Sequence, residues 1–111
     1  MNVQPFTPLV GQTQAILATA TSQFIMLTAG GAAVNCILVF NGTTTPIAVR
    51  TGLAIAGAVV AVAPVVGTPG DMVIAPGAYK VISKGYNDTV AVVTAITAGT
   101  GDVYITPGEG Q

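Results

Sequence analysis

The stretch VNCILVFNGTTTPIAVR, residues 34–50, contains the local features that decide the fold. Its first part, Val34–Phe40, is a nearly continuous apolar run, as expected for a β-strand with both faces covered. Asn41-Gly42 follows, and this pair tolerates the positive φ angles of hairpin turns. Thr43–Thr45 lengthens the connection to Pro46–Arg50. The stretch therefore predicts two antiparallel strands joined by a loop longer than the tight two-residue form.

Short strands separated by Gly- and Pro-containing turns are predicted on both sides of this stretch. Val, Ile and Thr dominate these segments while helix-forming residues are scarce, so no helix is predicted. Gly67-Thr68-Pro69-Gly70 is predicted to be a turn, with Pro69 and Gly70 at its two central positions. The other predicted strands are Gln14–Thr21, Gln23–Thr28, Leu53–Ala63 (one strand or a pair), Asp71–Ala75, Ala78–Ser83, Thr89–Thr97 and Asp102–Thr106.

About eight short strands favour an all-β, single-domain β-sandwich of jelly-roll type, because one flat sheet of this size would expose long edges. An immunoglobulin-like sandwich is the alternative. It would usually offer a core Trp or a Cys pair, whereas this chain has no Trp and a single Cys. Phe24 and Phe40 lie on apolar strands and are expected in the core.

The length of 111 residues fits one domain with one core. We expect residues 1–12 to form an extended N-terminal arm, residues 13–106 the β-sandwich, and residues 107–111 a C-terminal tail that cannot continue a sheet. Leu53–Val66 is the most hydrophobic segment, but a membrane span needs about 20 residues. It is predicted to be a core or interface strand, and no membrane partner is expected.

The scarcity of charge says most about function. Only 6% of the residues are charged and the net charge is −1, whereas an ordinary soluble domain carries roughly 25% charged residues. A freely diffusing monomer of this kind would have little to keep it soluble or to protect its sheet edges. We therefore expect a building block of a protein assembly. Its three cations are too few to bind nucleic acid.

Catalytic, cofactor and metal sites are all predicted to be absent, so the chain is not expected to be an enzyme. It has no His, which excludes Ser–His pairs, Cys–His pairs and imidazole ligands. Cys36 lies in an apolar run and is expected to be buried and unreactive. The acidic residues fall one to a turn, a pattern typical of solvated loops: Asp71, Asp88, Asp102 and Glu109.

The N-terminal arm supplies the candidate interaction residues. Its apolar segment has no obvious local core to join and would be exposed unless a neighbouring subunit received it. The predicted contact residues are Pro5, Phe6, Pro8, Leu9 and Val10. The first residues show neither a basic nor an apolar signal region, so synthesis and folding in a cytoplasm are expected.

Three tyrosines allow a different hypothesis. Tyr79, Tyr86 and Tyr104 could stack on sugar rings, as in a carbohydrate-binding module. The favoured interpretation is that they are strand-end aromatics whose hydroxyl groups face water.

The closing part of the chain resembles small tailed-bacteriophage head proteins. The segment AITAGTG, residues 95–101, runs into VYITPGEG, residues 103–110, as at the C-terminus of those chains. Pro76-Gly77 likewise precedes a Tyr-x-Val strand. The likeness covers most of residues 13–110 and implies a jelly-roll cement or decoration protein that binds the outside of an icosahedral capsid.

This resemblance implies a structural virion protein without catalytic residues, located on the capsid exterior. Its implied partners are the major capsid protein, whose subunits it would bridge, and its own copies in a homotrimer or homodimer. The alternatives are another structural component (a major capsid subunit, a tail or fibre module, a surface-layer or pilus-like subunit) and a carbohydrate-binding module.

Overall fold

The protein is a sandwich of two antiparallel β-sheets. The computed structural model describes residues 6–27, 34–94 and 101–110. Sheet I has the strand order β1–β9–β4–β7, and β2 also pairs with β9; sheet II has the order β3–β8–β5–β6. The strands are β1 Thr7–Pro8, β2 Gln14–Ala18, β3 Gln23–Met26, β4 Cys36–Asn41, β5 Ile47–Gly52, β6 Met72–Ile74, β7 Tyr79–Ser83, β8 Thr89–Thr94 and β9 Gly101–Glu109.

The order of the strands confirms the jelly roll. Apart from the two-residue β1, the sheets contain strands 2-9-4-7 and 3-8-5-6. Consecutive strands therefore cross from one sheet to the other, except β5 and β6, which pair within sheet II. Two four-stranded sheets connected in this way form the double Greek key of a jelly roll.

The hairpin predicted within residues 34–50 is wrong. β4 belongs to sheet I and β5 to sheet II, so Asn41-Gly42 carries the chain between sheets. The φ angle of Gly42 lies outside the positive range that such hairpins require. Asn41 is fully buried and its side chain binds backbone instead. Its Nδ2 donates to Thr45 O at 2.8 Å and to Ile74 O at 3.0 Å, and its Oδ1 accepts from Thr43 N at 2.9 Å.

The core between the sheets consists of aliphatic side chains. Its fully buried members are Ala18, Ile37, Val39, Ile47, Val90, Val92, Val103 and Ile105. The expectation that Phe24 and Phe40 lie in this core is wrong. Phe24 is 59% exposed, and Phe40 is half-buried at a position that faces away from the core. Phe40 lies between buried Val39 and Asn41, and Phe24 precedes Ile25, which packs against the core, so strand alternation directs both rings outward.

A strap, residues 57–64, covers the middle of the outer face of sheet II, so the prediction of a strand over Leu53–Ala63 is also wrong. A short 3₁₀ turn, Ala54–Ala56, precedes the strap, which joins no sheet ladder. Its inward side chains are Val59, Ala61 and Ala63, and they pack on sheet II to form a second apolar cluster with Ala48, Ala91 and Val93. No helix in the described residues is long and apolar enough to cross a membrane.

Three hydrogen bonds fasten the strap to the sandwich, and an ion pair with Arg50 holds Asp71, which takes part in two of them. Asp71 Oδ2 accepts the N–H of Val62 at 2.7 Å, while its Oδ1 accepts Arg50 Nε at 3.0 Å. The N–H of Asp71 in turn donates to Val62 O at 2.7 Å. Ser22 Oγ, on the other side, accepts the N–H of Ala61 at 3.0 Å.

Candidate interaction surfaces

The outer face of sheet I carries a row of aromatic side chains. The register places Ala15 opposite Tyr104, Tyr104 opposite Phe40, and Phe40 opposite Tyr79. Directly paired residues point to the same face, so the row crosses β2, β9, β4 and β7. With strands about 4.8 Å apart, it spans roughly 14 Å. The rings of Phe40 and Tyr104 are 6.3 Å apart at an interplanar angle of 30°.

The residues around this row are also apolar or uncharged. Leu38 and Val81 are opposite one another and half-buried, and Leu17 is 55% exposed. Asp102, which pairs with Leu17, is the one charged residue at the outward positions of β2, β9, β4 and β7. We call Ala15, Leu17, Leu38, Phe40, Tyr79, Val81 and Tyr104 the apolar face. A contiguous exposed apolar patch of this kind is typical of an interaction surface.

The structure brings together two of the three predicted tyrosines. Tyr79 and Tyr104 are 63% and 40% exposed and belong to the apolar face. Tyr86 lies in the turn between β7 and β8 and is 85% exposed, outside the row. Sequence reasoning missed Phe40 as their neighbour. Phe40 stands in an uninterrupted apolar run, so the sequence offers no alternation that would show its ring pointing outward.

The predicted arm is bound to its own chain. β1 pairs with the end of β9, Thr7 opposite Glu109 and Pro8 opposite Gly108. The ring of Phe6 lies against Gly108 and Gly110, because a Cβ at Gly108 would be 2.7 Å from Phe6 Cζ. The expectation that Phe6 has no local site is therefore wrong. β9 also runs to Glu109, past the boundary predicted at Thr106.

The other predicted arm residues are differently placed. Pro8 is exposed within β1, Leu9 is half-buried, and Val10 is 95% exposed. Pro5 lies outside the described residues. Contact of this arm with another subunit stays a prediction.

The acidic side chains and Cys36 do not form a reactive cluster. Within the described residues, no three His, Cys, Asp or Glu side chains converge as metal ligands would. Cys36 is 1% exposed, beneath Gly110. A cavity of about 300 Å³ opens between the strap and sheet II, and most of its lining residues are apolar: Phe24, Ala54, Gly57, Ala58, Val59 and Thr89. Its one hydroxyl group, that of Thr89, donates to Asp88 Oδ1 at 2.9 Å.

Asp88 has a structural role. Its Oδ1 accepts the N–H of Ala54 at 3.0 Å and the hydroxyl of Thr89 at 2.9 Å. These hydrogen bonds, first that of Ala54 and then that of Thr89, hold the pKa of Asp88 below its usual value. The carboxylate thereby ties the 3₁₀ turn before the strap to the start of β8.

The lowered pKa of Asp88 predicts a pH-dependent contribution to stability. A carboxyl group with a depressed folded-state pKa stabilises the fold above its unfolded pKa, and this contribution is lost as pH falls through the folded pKa. We expect Asp88→Asn to unfold at lower urea concentration than the unsubstituted protein at pH 7, with the gap closing below about pH 4. In a Thr89→Val background, which lacks the second of these hydrogen bonds, the stability difference that Asp88→Asn causes should be smaller but still present. A gap between Asp88→Asn and the unsubstituted protein that is equal at pH 3 and pH 7 would contradict this role.

Comparisons with known proteins agree with the fold. No family model matches the sequence, and a search of curated proteins gives no match. One similar solved structure is PirA, with a TM-score of 0.52 and 12% identity over 89% of this chain and 95% of that chain. Another comes from Bacillus endospore appendages, described as a novel family of disulfide-linked pili, with 17% identity over 97% of this chain and 87% of that chain and a TM-score of 0.48. The likeness to PirA shows a shared fold.

Proposed function

We propose that this protein is a structural subunit that works by binding other protein rather than by catalysis. The observation that carries the proposal is the apolar face of sheet I. This face exposes Leu17, Tyr79 and Tyr104 side by side, in a chain with only 6% charged residues. Burying such a patch against another protein removes apolar area from water, which is the main driving force of protein association.

The two faces of the sandwich differ in a way that supports this proposal. The strap covers the central strands of the outer face of sheet II and buries Ala48, Ala91 and Val93, while Phe24 and Val73 on its edge strands stay 59% and 42% exposed. None of the described segments covers the corresponding face of sheet I, except at its edge, where Phe6 lies over Gly108 and Gly110. A partner bound to sheet I would bury its outer face, as the strap buries the middle of the outer face of sheet II.

We propose that the assembly is a bacteriophage head, with this chain as a decoration protein on its outer surface. The resemblance across residues 13–110 supports this form of the proposal, and neither similar structure is described as a capsid protein. Electron microscopy of phage heads incubated with the purified chain tests it. Density at regular positions on the shell is the expected result. Filaments formed by the chain alone, with bare heads, would instead indicate a pilus-like subunit.

Charge placed on the apolar face should weaken association. We expect the double variant Leu17→Lys/Tyr79→Lys to associate about 100-fold more weakly than the unsubstituted protein, because lysine ammonium groups would be desolvated in the contact. Sedimentation velocity of the chain alone, and binding to phage heads, measure the change. The exposure of both side chains leaves the fold intact, which circular dichroism checks.

Val66→Lys is the matched control for this experiment. Val66 is fully exposed in the turn after the strap, so the control also replaces an exposed apolar residue by lysine. It should leave association unchanged. Equal weakening by Val66→Lys would show that general hydrophobicity, and not the apolar face, drives binding; a chain that neither self-associates nor binds heads would overturn the proposal.

The aromatic row also favours a second candidate, binding of a polysaccharide. Flat sugar rings can stack on exposed aromatic side chains, and Tyr79, Phe40 and Tyr104 are neighbours across three strands. Affinity electrophoresis in soluble polysaccharide tests this candidate. Retardation that Tyr79→Ala abolishes and Tyr86→Ala leaves intact would favour it, and unretarded migration would exclude it.

A further inference from the structure

The arm occupies a preformed site at the end of β9. We call Gly108 and Gly110 the glycine notch, because the ring of Phe6 lies against both and the missing side chain of Gly108 admits it. A Cβ at Gly108 would collide with Thr7 O, and one at Gly110 would lie 3.7 Å from Phe6 Cδ1. The notch is held independently of the arm, since Asn35 Nδ2 donates to Gly110 O and Asn35 Oδ1 accepts from Gly110 N, both at 3.1 Å.

The described part of the arm, from Phe6 onward, is held by few backbone contacts. β1 has only two residues, and one of them, Pro8, has no N–H to donate. The next contact is the N–H of Leu9, which donates to Pro107 O at 3.0 Å. The notch is thus fixed by contacts within the sandwich, whereas the described part of its occupant is joined to β9 only by the short ladder of Thr7–Leu9.

A three-residue excursion separates the arm from β2. Pro8 pairs with Gly108, and Gln14 pairs with Ile105. Between these two pairs the N-terminal segment has five residues, Leu9–Thr13, whereas β9 has only two, Thr106 and Pro107. Leu9 and Thr13 already lie beside these two residues, through the bond of Leu9 to Pro107 and the 2.9 Å contact between the Thr13 and Thr106 hydroxyls. Val10, Gly11 and Gln12 are therefore surplus to a continuous strand; we call them the hinge.

Pro107 accounts for the hinge. In an antiparallel pair of this type, two residues exchange both N–H···O bonds, but Pro107 has no N–H for the Leu9 carbonyl. That carbonyl instead accepts the N–H of Gln12 at 3.3 Å. This bond closes a turn in which Gly11 has φ +77°, the left-handed conformation that favours glycine.

We propose that the arm is exchanged between copies of this chain, Phe6–Pro8 of one copy filling the glycine notch of another when the hinge opens. Domain swapping of this kind needs no new contact, because each copy regains in a neighbour the contact that it gave up. Binding in the same chain prevails at low concentration. In an assembly the neighbouring notch is held nearby, and its high effective concentration favours exchange. The inference rests on the proposed function, because it is the assembly that brings copies together.

Two single-cysteine variants, both in a Cys36→Ala background, test the exchange. Thr7→Cys is mixed with an isotope-labelled Glu109→Cys chain in a thiol–disulfide buffer. These residues are directly paired across β1 and β9, so their Cα separation of roughly 4.5–5.5 Å suits a disulfide. We expect the heterodimer, identified by its mass, to exceed clearly the half share of dimers that random pairing gives.

Three further variants make the test specific. Gly108→Ala in the Glu109→Cys chain blocks the notch, and Phe6→Ala in the Thr7→Cys chain removes its occupant; each should return the dimers to random pairing. Deleting Val10–Gln12 keeps the register and lets Leu9 and Thr13 face Pro107 and Thr106 directly. This deletion should hold the arm in its own chain and reduce the heterodimer about tenfold.

The double variant Thr7→Cys/Glu109→Cys verifies the geometry, since its internal disulfide should form completely in dilute solution. If that disulfide forms but the mixture of single-cysteine chains still pairs at random, and Gly108→Ala changes nothing, the exchange is overturned. Sedimentation of the same samples separates the two proposals. Association through the apolar face with random pairing leaves the proposed function standing, whereas the absence of both association and heterodimers overturns both.

Discussion

Replacing Asn41 by Ala is expected to destabilise the fold by about 3 kcal/mol or more. The substitution leaves the N–H of Thr43 without its acceptor and removes a donor from Ile74 O, at a position with no access to water. Each buried polar group deprived of its partner costs roughly 1–3 kcal/mol. The corresponding fall in Tm is roughly 10–15 °C for a domain of this size. Calorimetric unfolding measures the fall.

Two further variants show whether the effect of Asn41→Ala comes from its buried hydrogen bonds. Thr44→Ala, an exposed change in the same loop, should cost less than about 0.5 kcal/mol. Asn41→Asp keeps the shape but directs a carboxylate at Thr45 O and Ile74 O. It should be strongly destabilising at pH 7 and recover in part in acid, because a protonated carboxyl can donate. If Asn41→Ala matched Thr44→Ala, the sheet crossing would not depend on this side chain.

Gly70→Ala is expected to lift the strap from sheet II. A Cβ at residue 70 would lie 2.5 Å from Pro64 N and 2.6 Å from Val62 O, and both are backbone atoms that cannot move without displacing the strap. Losing the burial of Val59 and Ala61 should cost about 3 kcal/mol. The variant should also bind a hydrophobic dye through the uncovered face of sheet II.

Gly77→Ala separates crowding from backbone strain. Gly77 has φ +76°, and nothing lies within 4 Å of the Cβ that alanine would add. Its substitution should cost about 1–2 kcal/mol, from the left-handed conformation alone, with no increase in dye binding. The interpretation of Gly70 fails if its alanine variant is no less stable than Gly77→Ala and binds no dye.

The alternation of β-branched segments and turns was enough to predict a jelly roll, but it did not predict which strands pair. Asn41-Gly42 favours a hairpin locally, and the burial of the Asn41 side chain between the sheets overrides that preference. Pro69-Gly70 likewise predicts a turn, yet the chain reverses earlier, between Val65 and Thr68, with Gly67 at φ +88°. Gly70 is needed for a close approach of backbone, which only the tertiary structure brings about.

The interaction surfaces were predicted in part. An apolar arm and a charge-poor surface are visible in the composition, and two of the tyrosines do meet on sheet I. The recipient of Phe6 could not be foreseen, because Gly108 and Gly110 lie about a hundred residues away and look like a loose tail. Phe24 and Phe40 were misplaced for a related reason: hydrophobicity alone does not say which side of a strand faces the partner sheet.

The placement of the aromatic rings also determines what the intrinsic fluorescence of this protein can detect. It has no Trp, and its three Tyr are all substantially exposed on the folded domain. Ultraviolet emission from Tyr79 and Tyr86 should therefore change little when the sandwich unfolds, since these two side chains are 63% and 85% exposed before unfolding. The same emission will respond when another surface covers Tyr79 and Tyr104, which makes the native chain an unlabelled optical sensor of its own docking.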